Sequence, residues 1–503
     1  MQTTSANELP SAKQATEKVI ASTAKVAADS QKQAEFISHA EQAGKEILSW
    51  KKVVVAHHHD CDGISSGGVA ANAFKNAGVP FKTIVLKRLD EPGVKLVAQK
   101  AREFSEDGVA ANILFTDLGS GQLSLLEPLL PNFKVAVIDH HVPQKELVHE
   151  NFLQVNAELF GLDGGVTASG ASTAYFVFRK SCPGLSPLAV VGACGDMQDN
   201  GEKGFVGLNR QMLSEGVESG FVSLKKDLKM FGRHSRSLVY FLSYSSEPFL
   251  PGLTGDPKAC AAFLETSGIP SMREGKWLRY RDLSEVEKKK LVSALALHLT
   301  TNGVEKAIVL SLLGEVYEFP HYPEQTPLFD SSEFSTLLNA VGRHGKAELG
   351  ISVCLGEPGA IGQATGVLEA HRRAIAQGID FAKKNFEDLG AFYFVDARGV
   401  IEDTIVGSVI GNFFGSGLVS RTKPIIGFSI EPETGFTKAS GRACKELIEK
   451  GVDLNLALRG SAEPIGGLGG GHKIASGASF PAGKEKEFLF KCREILKGQI
   501  LFG

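Results

Sequence analysis

The stretch that decides the fold is Ala136-Val137-Ile138-Asp139-His140-His141, a short apolar run that ends in an acid and two imidazoles. Other segments end the same way. Lys52-Val53-Val54-Val55-Ala56 runs into His57-His58-His59-Asp60-Cys61-Asp62-Gly63, and Asn112-Ile113-Leu114-Phe115 into Thr116-Asp117. Val190-Val191-Gly192-Ala193 leads through Cys194 to Gly195-Asp196. Strand-sized apolar runs, each followed by ligand-type residues, describe a site assembled at one edge of a sheet. In open α/β sheets ligands collect outside the carboxyl ends of the strands, where strand order reverses. The pattern therefore predicts that Asp60, Asp62, Asp117, Asp139 and Asp196 arrive at one place.

Such a crowd of acids is unstable by itself. Two carboxylates about 4 Å apart repel by roughly 4 kcal/mol at an effective dielectric near 20. Five of them must take up protons or hold cations. Imidazoles among the acids favour cations, since His and Asp together suit manganese, zinc, iron or magnesium, and oxygen-rich sets lean to magnesium and manganese. Two divalent ions roughly 3.5–4 Å apart are the recurring device for cleaving phosphate esters. The residues thus predict a two-metal phosphoesterase centre.

The chain has 503 residues, a net charge of −3 and 43% hydrophobic residues, enough for two or three soluble globular domains. No excess of basic residues advertises nucleic acid, so such a partner requires a local groove. The seven cysteines are far apart and odd in number, which disfavours a disulfide framework or zinc ribbon and points to a reducing cytoplasm. Neither a leader nor an apolar run near 18 residues is present, so no membrane partner is expected.

Residues 1–48 read as one or two exposed helices preceding the core. From residue 49 to about 210, apolar strands alternate with helical stretches such as Ser65–Asn76 and Gln122–Leu130, the signature of an α/β domain with a parallel sheet. Residues 211–250, basic and aromatic, read as connecting helices, and the turn-rich Pro251–Pro257 opens an inserted subdomain over 251–330. A smaller α/β domain over 331–503 follows. It is read with a helix over Gln363–Leu389, a strand at Ala391–Val395, a short helix at Thr404–Phe414 and a hairpin of Ile425–Ile430 with Gly435–Ala439. The glycine cluster Gly466–Gly471 ahead of His472 is read as a loop between two helices, with a groove expected between the two domains.

Together these motifs resemble the DHH phosphoesterase superfamily, named for Asp139-His140-His141. His58-x-Asp60-x-Asp62-Gly63 matches its first motif, Asp117 its second and Asp196 its fourth, while Gly469-Gly470-Gly471-His472 resembles the signature of its C-terminal substrate-binding domain. The nearest likeness is to archaeal RecJ-like nucleases of the GINS-associated type. The resemblance implies one ion on His58, Asp60 and Asp117, and a second on Asp62, Asp117, His140 and Asp196. His141 would act as acid or charge stabiliser at the scissile phosphate, and Asp139 would orient the imidazoles. Arg442 resembles the phosphate-clamping arginine. The glycine run and His472 would cradle a phosphate through backbone N–H groups, with Arg343 a further candidate. His57 and His59 exceed the family pattern and read as packing residues, Asp199 as a surface or supporting acid, and the cysteines as buried fillers.

Three functions are distinguishable on this basis. One is a Mn2+- or Mg2+-dependent exonuclease on single-stranded DNA or RNA in replication or repair, with a GINS-type protein as candidate partner. Another is a phosphoesterase acting on small molecules, cyclic dinucleotides or very short oligonucleotides. The third is a non-catalytic replication scaffold, disfavoured because every ligand is retained.

Overall fold

A computed structural model describes residues 12–105, 108–200, 204–245, 248–416 and 418–502. The chain divides into two compact units. The first comprises Met1–Leu224, Tyr317–Tyr322 and Phe334–Ile361, and the second Lys225–Val316, Pro323–Glu333 and Gly362–Gly503.

In the first unit, α1 (Ala12–Leu48) precedes β1 (Val53–His58), α2 (Cys61–Ala77), β2 (Phe81–Leu86) and α3 (Glu91–Phe104). Then come β3 (Asn112–Thr116), α4 (Leu123–Leu126), β4 (Val135–Asp139), β5 (Phe152–Asn156), α5 (Gly170–Phe178), α6 (Ser186–Gly195) and α7 (Gly207–Glu218). The strands form one sheet in the order β2-β1-β3-β4-β5, with every neighbouring pair parallel. Val54, Ala56, Ile113, Phe115, Val135 and Val137 are fully buried within it. Strands covered on both faces read as continuous apolar runs, which is why those runs stand out in the sequence. Strand order reverses between β1 and β3, so the loops after these two strands flank the crevice where ligands bind in such sheets.

Several local readings need correction. The run Val190–Ala193 is not a strand but part of helix α6, with Pro187 in its first turn. A short, wholly buried apolar run has no periodicity to separate strand from helix. Leu123–Leu126 is a single helical turn flanked by 3-10 turns, shorter than the helix read over Gln122–Leu130. Helix α1 is a single helix and is not simply exposed: Phe36 is fully buried, its ring 5.7 Å from Phe160 and 6.0 Å from Phe176. The first eleven residues of that segment lie outside the described residues. Residues 334–361, read as the opening of the last domain, cluster with the first unit, where Gly350 seats against Ile64 and Gly68 against Cys354.

The second unit holds two apolar clusters. One gathers Leu228, Phe241, Leu264, Leu291 and Leu295 around the helices Pro257–Thr266 and Glu285–Thr301. Of the connecting helices expected over 211–250, α7 supplies the part up to Glu218; beyond it the chain carries a strand at Ser223–Leu228 and a short helix at Leu238–Ser243. That strand pairs with Leu313–Glu318, a partner too distant in sequence for a local pattern to reveal. The other cluster lies on a six-stranded sheet whose strands run, in spatial order, Phe386–Asp388, Tyr393–Asp396, Ile425–Ile430, Thr437–Arg442, Ala475–Phe480 and Leu468–Gly471. The expected hairpin is present, with Ile425–Ile430 antiparallel to Thr437–Arg442. Leu468–Gly471 is not a loop between helices; it is an edge strand paired with Ala475–Phe480.

Candidate metal centre

The site is built on the strand ends of the first unit. Asp60 caps α2, its Oδ1 accepting the Gly63 N–H at 3.0 Å, and its Oδ2 lies 3.0 Å from His58 Nδ1. A Cβ on Gly63 would sit 2.4 Å from the His58 carbonyl oxygen, so the turn from β1 into α2 requires glycine. Asp117 follows β3 with φ of +59°. A non-glycine residue holds that left-handed conformation only where its surroundings enforce it, and such strain concentrates at functional sites. Gly170 presses on Asp117: a Cβ there would lie 2.7 Å from the Asp117 Cβ.

Asp62, in the first turn of α2, is 1% exposed and accepts the N–H groups of Gly170 at 2.6 Å and Ala171 at 2.9 Å. Those donors open α5, whose amino terminus favours a negative charge. Asp196 sits at the C-cap of α6, and Gly192 lets that helix approach so closely that a Cβ would meet Asp62 Oδ1 at 2.4 Å. A helix end thus delivers the fourth-motif acid that was expected from a strand.

The histidines are aimed by their second nitrogens. His58 Nε2 lies 3.2 Å from the Lys87 carbonyl oxygen, leaving Nδ1 toward Asp60 and, at 3.6 Å, Asp117. His140 Nδ1 lies 2.8 Å from the Gly164 carbonyl oxygen, leaving Nε2 at 3.3 Å from Asp117, 3.4 Å from Asp196 and 3.8 Å from Asp62. Ring nitrogens tied to carbonyls while their partners face carboxylates is the arrangement that metal-binding histidines adopt. Asp139, fully buried, accepts at Oδ1 from His141 Nδ1 and the His140 N–H, both at 2.8 Å, and at Oδ2 from the Ser120 N–H at 2.9 Å.

Three overlapping groups result, each with ligand-type atoms within 4.8 Å of one another: His58, Asp60 and Asp117; Asp62, His140 and Asp196; and Asp117, Asp139, His140 and His141. Asp117 belongs to two of them. Its Oδ1 is buried and accepts no hydrogen bond, because the 3.3 Å approach of His140 lacks the alignment of one. An unsatisfied buried carboxylate oxygen among nitrogen and oxygen donors fits a divalent cation, whose charge would supply what the protein leaves missing.

The same crowding perturbs the acid–base equilibria of the site. Burial, then the charges of Asp117 and Asp196, push Asp62 well above the usual carboxylate range. Burial lifts Asp196 to about 6, with Asp117 and Asp60 adding to it against the pull of His140. Burial opposes charge on His58, yet the adjoining Asp117 and Asp60 outweigh it and raise the ring to about 11. His140 is likewise raised against burial, by Asp117 first and then by Asp62 and Asp196. Burial also works against ionised Asp139, but the His141 hydrogen bond and the two imidazoles bring it down to about 2. The carboxylates that would hold cations thus also favour positive charge on His58 and His140.

The remaining candidates fall as follows. His57 is fully buried against Gly67 and lowered to about 4 by burial; burial likewise lowers His59 to about 4. Asp199 joins none of the ligand groups. Arg343 ends the helix Ser331–Arg343, where burial lowers its pKa and the charge of Asp60 works against that shift. In the second unit, Arg442 pairs in register with Ala475, and the next residue, Ser476, with Gly471. The arginine and the glycine run therefore share one end of the C-terminal sheet. A Cβ on Gly469 would collide with the Arg459 Cα at 2.7 Å, whereas one on Gly470 would meet nothing within 4 Å. His472 is exposed, its N–H donating to the Ala475 carbonyl at 2.8 Å.

Sequence reasoning missed the supports: Ser120, the Gly164 carbonyl, the Gly170 and Ala171 amides, and Asn156, which donates to Ser120 Oγ at 2.9 Å and the His141 carbonyl at 2.8 Å. The available signal was Ser169-x-x-Ser172, which forms a capping box at the start of α5.

A doubly covered parallel sheet with this acid–imidazole edge, joined to a second α/β unit, defines a phosphoesterase class. The DHH-CID domain family model matches residues 230–313 and the DHHA1 domain family model residues 394–498. The uncharacterized protein MJ0831 of Methanocaldococcus jannaschii is 30% identical over 450 residues, covering 89% of this chain and 93% of its own. Among solved structures, RecJ from Thermus thermophilus in complex with Mn2+ matches with a TM-score of 0.53 at 16% identity, over 93% of this chain and 55% of that one. The chain therefore spans about half the length of that RecJ. Exonuclease RecJ bound to manganese matches at 0.52 and 15% identity, over 91% of this chain and 94% of its own. CDC45 from Entamoeba histolytica matches at 0.57 and 12% identity, over 93% and 99%. The chain belongs to the DHH phosphoesterase superfamily and is RecJ-like. Among the described residues no helix is long and apolar enough to cross a membrane.

Proposed function

We propose that the protein is a two-metal exonuclease that shortens single-stranded DNA or RNA to mononucleotides, in replication or repair. One observation carries the reading: Asp62, Asp117 and Asp196 converge on His140, with Asp117 Oδ1 buried and unsatisfied. His58, Asp60 and Asp117 would hold one Mn2+ or Mg2+, and Asp62, Asp117, His140 and Asp196 the other. Bound ions would supply charge for the phosphate and a strong nucleophile at neutral pH.

The protein's own groups do the rest. Asp139 takes the Nδ1 hydrogen of His141, which leaves Nε2 as the working nitrogen of a side chain that is 57% exposed. The Asp139 bond raises the His141 pKa against burial, which favours the protonated ring whose Nε2 would donate to the leaving oxygen. Arg343, close enough to Asp60 to feel its charge, offers a guanidinium to the substrate phosphate. Arg442, open Gly470 and exposed His472 offer charge and backbone N–H groups to a strand's phosphates. A GINS-type replication protein is the candidate partner within this reading.

The test is digestion of single strands of DNA and RNA, labelled at either end, with Mn2+, Mg2+ or excess EDTA. Release of mononucleotides that EDTA abolishes is expected. Turnover of dinucleotides alone, or no metal-dependent cleavage, would overturn the proposal.

A further inference from the structure

The basic-aromatic stretch after residue 225 has no part in the centre described above. We propose that Arg236 and Arg372, with the paired rings of Tyr240 and Tyr244, form a second anchoring site for single-stranded nucleic acid: the guanidiniums take a phosphodiester and the tyrosines its bases. The choice of ligand rests on the exonuclease reading; the site itself does not.

Arg236 lies with its guanidinium carbon 4.6 Å from the centre of the Phe231 ring and 5.3 Å from that of Tyr244. Gly232, at φ of +97°, makes room for it, since a Cβ there would meet the Arg236 Cδ at 2.6 Å. Tyr244 stacks on Tyr240 with centroids 5.3 Å apart, yet the two residues stay 57% and 48% exposed. Arg372, from the helix Ala360–Asn385, has a buried Nη2 with no hydrogen-bond partner.

Among the described residues neither guanidinium forms an ion pair. The contrast with Arg233 is direct: its Nη1 lies 3.1 Å from Asp227 and its Nη2 2.6 Å from Asp330. Glu333, whose charge acts on both arginines, accepts the N–H groups of His234 at 3.1 Å and Ser235 at 3.0 Å. Glu369, on the helix of Arg372, is exposed. Burial first, and then the charge of Arg372, lowers Arg236 to about 10. Two half-buried cations that repel each other and form no ion pair, with Glu333 acting on both only at a distance, are stabilised by an anion. Arginine's fork suits phosphate oxygens, and exposed tyrosine rings suit bases. An acidic peptide would satisfy the charge but leave the rings without a role.

The experiment measures fluorescence anisotropy of labelled oligo-dT with the full chain in EDTA, so binding is read without any nuclease activity. If the wild type proves inactive in the digestion assay, the exonuclease reading fails while this measurement still decides the site. Arg236→Gln/Arg372→Gln should weaken affinity about tenfold or more and flatten the slope of log K against log salt by about 0.7 per lost phosphate contact. Tyr240→Ala/Tyr244→Ala should weaken affinity about tenfold with the slope unchanged. Wild-type affinity and slope in both variants would overturn the proposal. So would displacement of the strand by polyglutamate from the wild type and the tyrosine variant with equal ease. If the arginine variant melts early, the exposed tyrosines carry the test by themselves.

Discussion

The sharpest test of the metal centre is Asp117→Asn. Asparagine matches aspartate in shape and tolerates a left-handed backbone, so the φ of +59° and the contact with Gly170 survive the change. Only the charge goes. Asp117 stands between two groups of ligands, with Oδ1 3.3 Å from His140 Nε2 and Oδ2 3.6 Å from His58 Nδ1. A unit charge about 4 Å from a dication is worth roughly 8 kcal/mol at an effective dielectric near 20, twice the figure for two unit charges, so each site should bind a dication at least about a thousandfold more weakly. At a Mn2+ concentration one hundred times the wild-type Kd, binding stabilises the native state by about 2.7 kcal/mol, or about 5–10 °C in Tm. In the variant that rise should vanish. Without metal the Tm should stay within about 2 °C of wild type, because lost repulsion from Asp62 and lost attraction to His58 and His140 oppose each other. Differential scanning fluorimetry across a Mn2+ series, together with strand digestion, reads both effects. A normal Mn2+-dependent rise, or digestion at the wild-type rate, would refute the bridging role of Asp117.

Other outcomes follow from the same geometry. For the chelated protein, the folded pKa of His58, about 11, lies above its unfolded value. The stability it contributes is therefore full below about pH 6.5 and is lost as pH rises toward 11; thermal melts in EDTA should fall across that window, and melts with saturating Mn2+ should not. Asp139→Asn should keep Mn2+ affinity within a few-fold but lower kcat by about a hundredfold or more, because the His141 ring loses the negative charge that favours its protonated form; unchanged kcat would dismiss His141 as the acid. Gly469→Ala should lower the Tm by forcing a Cβ against Arg459, whereas Gly470→Ala, which meets open space, should leave the Tm alone and weaken single-strand binding in EDTA. Equal melting of the two variants would contradict the packing of that edge strand.

Much of the centre was legible in the chain itself. Fully buried parallel strands must be apolar throughout, so β1, β3 and β4 announced themselves, and the polar residues at their ends marked the edge where a ligand sits. Residue chemistry alone said that so many acids among imidazoles need cations. What the sequence could not state was the arrival of Asp196 on a helix, since a buried apolar run looks alike as helix or strand until its neighbours close around it. Nor could it show Gly470 as open edge-strand backbone and Gly469 as a packing contact, because the difference lies in where Arg459 comes to rest. The orientation of the imidazoles rests on carbonyls at Lys87 and Gly164, backbone atoms that every residue possesses. The sequence determined which groups meet at the centre; the tertiary structure decided how they are aimed, because aim depends on contacts between segments far apart in the chain.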